Sequence, residues 1–208
     1  MQSPPRADPP YVPIRRTAWP VRRTPRWWFA AGAAIVVAGV LVGIAVHPSK
    51  AQRAGDLNGF LKDMTTDIQS CAGGVRESLN AMHSIEAGTE HDVGTAIHIA
   101  TYGSANCSPA NNMLLDDLVG YQVQESLSSF HLDRVVYGLV DWATPDALHV
   151  QADVAAVLRA QGAARTAATA KLNRDLKILD AQRAYLDRIM MAAITATGAS
   201  GRPPPLPG

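Results

Sequence analysis

Hydrophobic positions in this chain follow two regimes. From Trp27 to Val46 they run for twenty residues without a single charge. At 1.5 Å per residue such a run makes a helix of roughly 30 Å, one hydrocarbon core thick. The run therefore predicts a transmembrane helix over 27–46. Pro48 follows and disfavours its continuation. Beyond Ala51 the regime changes. Leu57, Leu61, Met64, Ile68, Cys71, Val75, Leu79, Met82 and Ile85 recur in steps of three and four, the signature of one helix face. Gly73-Gly74 interrupts that helix, either bending it or admitting a close neighbour, and Gly88 closes it.

Periodicity and capping residues predict the later elements. Thr89 with Asp92 three residues on resembles a capping box, opening a short helix with Val93, Ala96, Ile97 and Ala100 inward. A loop over 102–106 delivers Cys107, and Ser108-Pro109 restarts a helix with Leu114, Leu115 and Leu118 on its face. A break falls near 120–124. Leu127 to Trp142 reads as helix, because Val135-Val136-Tyr137 would be a lone strand without a partner. Thr144-Pro145-Asp146 is the clearest helix start, predicting one long helix to about Thr195, which Gly162 could divide. Lys171–Asp175 and Arg183–Asp187 are spaced for i,i+4 ion pairs along it. The fold class expected is all-α: a single N-terminal transmembrane helix, then an elongated helical-bundle ectodomain over 51–197 with one disulfide.

Charge orients this layout. Residues 1–26 carry six arginines and one aspartate, and the rest carries thirteen basic and seventeen acidic residues. Excess Arg stays on the cytoplasmic side, so 1–26 is expected inside and 51–197 outside the plasma membrane. With seven prolines, 1–26 is expected to be a disordered cytoplasmic tail, and Arg15, Arg16, Arg22, Arg23 and Arg26 form a membrane-surface basic arm. The alternative is a cleaved signal peptide ending at Ser49-Lys50-Ala51, but the tail and the run are both long for one. Gly39 and Gly43 make a Gly-x-x-x-Gly, with Gly32 seven residues earlier, so the predicted transmembrane helix offers a face for a homodimer. The end, 198–208, finishes in Arg-Pro-Pro-Pro-Leu-Pro-Gly and is expected to be a disordered, polyproline-type tail. Between Asp56 and Asp153 only Lys62, Arg76 and Arg134 oppose the acids, and from Arg159 onward the balance turns basic. The acidic and basic blocks should pack together, and nothing points to nucleic acid.

The two cysteines, Cys71 and Cys107, lie beyond the predicted anchor and are expected to form one disulfide. Loop-entropy arguments give such a bridge roughly 4 kcal/mol. A candidate metal site is the polar group His83, Glu86, Glu90 and His91, near Asp92 and His98. Gly88 lies between its halves, so the spacing fixes no geometry, and a solvated acidic turn is the competing reading. No HExxH, Gly-x-Ser-x-Gly, Walker-type or GxGxxG motif occurs. The expectation is accordingly no enzyme and no cofactor. The layout is similar to that of many envelope proteins of Gram-positive bacteria with Ala- and Arg-rich proteomes, a likeness of composition that carries no activity. The function expected is a membrane-anchored interaction or scaffold protein with an envelope protein as partner. The alternative is a ligand- or metal-sensing ectodomain signalling through the anchor.

Overall fold

The computed structural model describes residues 48–207, and among these every regular element is helical. The run 27–46 with Gly32, Gly39 and Gly43, and the arginines of the basic arm, lie outside the described residues. No helix among the described residues is long and apolar enough to cross a membrane. The elements are α1 (Lys50–Glu86), α2 (Val93–Ala105), α3 (Met113–Val119), a 3-10 segment (Glu125–Phe130), α4 (Asp133–Asp141), a π-type turn (Trp142–Ala147), α5 (Leu148–Arg159) and α6 (Gly162–Thr197).

The three-and-four periodicity of α1 buries Leu57, Leu61, Met64, Ile68, Cys71, Val75 and Met82, while Leu79 and Ile85 lie half-buried at its edge. Ser49 caps its start by accepting from the Gln52 N–H at 3.0 Å. Gly88 at φ +69° turns the chain out of its end. Cys71 then meets Cys107, just past α2, in a disulfide. Of the double glycine, Gly74 is the close-packed member. A Cβ built there would lie 2.9 Å from the Gly103 carbonyl oxygen and 3.2 Å from the Gly103 Cα. The backbones of α1 and α2 thus cross in direct contact. Gly73 faces open space.

Several boundaries differ from expectation. Asp92, not Thr89, caps α2, accepting from the Thr95 N–H at 3.0 Å, while the Thr89 hydroxyl donates to the Ser84 carbonyl. Ser108 begins a turn and α3 starts at Met113, capped by Asn112. Thr144 is extended (φ −136°, ψ 101°) as a cap would be, but its hydroxyl donates to the Cys107 carbonyl, tying the π-type turn to the disulfide. The long helix expected from 145 to 195 is two helices. Ala160 and Gln161 are extended and Gly162 has φ +54°, so α6 folds back on α5, and Lys171 reaches Asp153 at 2.7 Å. Arg183 bonds Asp180 rather than the expected Asp187, whereas Lys171–Asp175 forms as expected at 2.9 Å.

The tail over 198–207 is the largest correction: it is a docked strap, not a disordered end. The Asn58 side-chain oxygen accepts from the Ser200 and Gly201 N–H groups at 3.1 and 2.8 Å, and Arg76 donates to the Pro205 carbonyl at 3.1 Å. Leu206 is buried in the core. A polyproline segment makes no internal hydrogen bonds. Here Asn58 and Arg76 of α1 supply bonds, and within the strap the Leu206 N–H donates to the Pro204 carbonyl at 2.9 Å.

Two stability predictions follow from these contacts. Gly74→Ala should destabilise the full chain by about 1–3 kcal/mol, because backbone rather than a flexible side chain meets the new methyl. Gly73→Ala should stabilise by about 0.5–1 kcal/mol through helix propensity. Urea denaturation followed by circular dichroism reads both, and equal effects at the two positions would refute the close crossing. Leu206→Ala should cost about 2 kcal/mol and make the tail a faster proteolysis site. Unchanged stability and cleavage would mean that the strap does not hold.

Candidate functional site

The residues singled out as metal ligands do not converge. His83 and His91 are exposed. Glu86 faces Arg165 at 3.4 Å. Glu90 accepts from the His91 and Asp92 N–H groups at 2.7 and 3.0 Å, and these bonds, with that of Asp92 the stronger influence, hold its carboxyl below the ordinary value. The carboxylate thus orders the turn into α2. Among the described residues no three His, Cys, Asp or Glu side chains stand where they could share a metal ion.

A groove lies elsewhere, between the 3-10 segment with the start of α4 and the last three turns of α6. It has a volume of about 640 Å³ and is open along its length. Its position follows from packing one turn away. Gly138 on α4 receives Leu186 of α6 so closely that a Cβ there would lie 2.5 Å from the leucine methyl. Gln182 on α6 donates to the Gly138 carbonyl at 3.1 Å. Buried Leu127 and Leu132 seat the segment between them, and His131, left-handed at φ 52°, turns the chain into α4. One wall is then Phe130, His131 and Arg134, and the other is Tyr185, Arg188 and Ile189. Ala192, Ala193 and Ala196 continue α6 with nothing beyond Cβ, which leaves the groove its depth.

The charge at this groove is of one sign. No carboxylate of the described residues lines it. None of the four ion pairs among the described residues includes Arg134 or Arg188. Arg188 donates only to the Ala184 carbonyl of its own helix, at 3.2 Å.

An opposite patch surrounds α3. Asp67 on α1 is buried near Asp63 and Asp117, and burial first, then these two carboxylates, push it up to about 6. The Tyr121 hydroxyl donates to Asp63 at 3.0 Å and is pushed up to about 12, chiefly by burial. Asp116 and Asp117 are exposed and belong to none of the ion pairs. The acidic and basic blocks do pack together elsewhere, through Arg165–Glu86 and the Asp153–Lys171–Asp175 trio, whose carboxylates hold Lys171 protonated.

The sequence carries one signal of the groove. Leu172, Leu179, Leu186 and Ala193 form the buried seam of α6 at seven-residue spacing. Tyr185, Ile189, Ala192 and Ala196 make a second stripe in steps of four, three and four, which the described residues leave largely uncovered.

No protein-family model matches the chain, and no curated protein or solved structure matches it either.

The acidic patch generates a pH prediction. The folded-state value of Asp67, about 6, lies above its ordinary 3.8, so folding favours the protonated acid. Its contribution to stability is complete below 3.8 and is lost as pH rises through 6. Asp67→Asn should remove that loss and leave the chain more stable than wild type at pH 7. Urea denaturation across pH 4–8 checks it, and parallel curves for the two proteins would refute it.

Proposed function

We propose that this chain is a non-catalytic interaction protein. The run 27–46 would tether it in the plasma membrane with its N-terminus cytoplasmic, and residues 51–197 would act outside as a partner-binding domain. The observation that carries this reading is the groove: an apolar floor between two walls, each bearing an arginine that no carboxylate of the described residues neutralises. Grooves of this kind recognise an elongated apolar segment, with apolar burial supplying affinity and rim charge supplying orientation and choice of partner. A small molecule is buried over most of its surface by a well-formed pocket. This groove is open, which favours a polypeptide. The tether rests on the sequence alone: an uncharged twenty-residue run behind a basic tail.

A photo-crosslinking residue in place of Ala192, in the full chain in its native cell, tests the reading. A discrete protein adduct is expected, reduced at least tenfold by Arg188→Glu and absent when the probe replaces exposed Lys177 instead. No adduct at position 192, or the same adducts at both positions, would overturn it.

A further inference from the structure

We infer that the groove receives α3 of a second copy of this chain, an inference that rests on the interaction reading above and names its partner. The argument begins with the face that α3 leaves uncovered. Leu115 and Leu118 point into the core. The opposite face carries Met113, Asp116, Asp117 and Gly120, spaced i, i+3, i+4 and i+7 and therefore neighbours. Met113 is 84% exposed, the most exposed large apolar side chain among those described. It stands between the two aspartates: at 100° per residue, Asp116 projects to one side of it and Asp117 to the other. That face is one apolar knob with a carboxylate on each flank.

The groove is its complement. Its floor is apolar, and each wall bears a guanidinium, Arg134 on one and Arg188 on the other. Lengths agree as well. Seven-residue α3 spans about 10 Å, and fits within the stretch of α6 from Tyr185 to Ala196, about 18 Å. A methionine suits such a seat, because its unbranched, polarizable side chain adapts to a shallow apolar floor. The charges argue the same way from both sides. Asp117 lies near Asp63 and Asp67, and no arginine or lysine of the described residues pairs with Asp116, Asp117, Asp63 or Asp67. An arriving guanidinium would relieve repulsion that the described residues leave standing. Knob and groove are different surfaces, so the contact is heterologous and links copies head to tail unless rotation closes a ring.

Purified full-length chain in detergent tests the inference, prepared as two populations carrying Met113→Cys or Ala192→Cys. The native cysteines are buried and already bonded to each other, so they do not compete. Mixing under mild oxidation should give a Met113–Ala192 crosslinked dimer well above either population alone. Arg134→Asp with Arg188→Asp in the Ala192→Cys chain should lower the yield at least tenfold. Asp116→Arg with Asp117→Arg in the Met113→Cys chain should restore it. The restoration excludes misfolding as the cause of the loss. A mixed yield no higher than the unmixed controls, or a loss that charge reversal does not rescue, overturns the self-contact. If the native-cell probe at position 192 then captures a different acidic protein, the interaction reading stands with that protein as occupant. If it captures anionic lipid alone or nothing, both fall.

Discussion

The backbones of α1 and α2 touch at Gly74 and Gly103 with no side chain between them, and the rest of the fold is arranged around that crossing. Each glycine within a helix costs about 1 kcal/mol against alanine. The offsetting gain is proximity. Cys71 lies three residues before one glycine and Cys107 four after the other, so the disulfide closes beside the contact and fixes it. The Thr144 hydroxyl reaches the Cys107 carbonyl from there, drawing in the π-type turn that starts α5. Gln151 of α5 covers the crossing, fully buried, with neither amide atom hydrogen-bonded. Leaving such groups unpaired costs about 1–3 kcal/mol. The close crossing, the unpaired Gln151 amide and the disulfide thus sit together at one place.

From that anchor the chain divides its apolar surface unevenly. The seam of α6 at Leu172, Leu179, Leu186 and Ala193 is consumed by the core. Its neighbouring stripe at Tyr185, Ile189, Ala192 and Ala196 is not, because α4 is only nine residues long and Gly138 pulls its middle turn against Leu186. The helix begins only at Asp133, and the 3-10 segment before it does not cover the last turns of α6. The strap over 198–207 could have done so but is held by Asn58 and Arg76 of α1 and meets α6 on another side, at Arg183, Asp187 and Met191. The groove is thus a consequence of helix length and strap direction, not of any motif.

These origins explain what was legible in the sequence. The inward face of α1 was legible because three-and-four spacing states it residue by residue, and Cys71 falls in phase with Ile68 and Val75. The pairing with Cys107 needed only parity and compartment. Gly162 was legible as a division but not as a reversal, since nothing local distinguishes a kink from the extended Ala160 and Gln161 that turn α6 back. Reading 198–208 as a loose end failed for a related reason. Proline density shows that a segment forms no regular ladder of internal bonds, whereas its docking depends on Asn58 and Arg76, more than a hundred residues away. The polar group at His83–His91 looked like ligands because residue type is visible in sequence. That Glu90 is committed to two backbone N–H groups is not. The groove joins 129–134 to 185–196, and only the uncovered second stripe of α6 marked it.

Charge segregation bears most directly on what the domain is for. The acidic first half and basic second half do meet, at Arg165–Glu86 and around Lys171, yet these pairings leave Arg134 and Arg188 on one surface and Asp116 and Asp117 on another. Stability does not require this arrangement. Exposed ion pairs contribute at most about 1 kcal/mol, and clustering like charges works against the fold: burial first, then Asp63 and Asp117, raises Asp67. An unpaired charge beside an exposed methionine, or above a floor of alanines, gains value only when another surface arrives and excludes water from it. Two such surfaces of opposite sign, each with an apolar centre and charges on both flanks, are what the proposed contact would use, and the stability of the fold does not call for them.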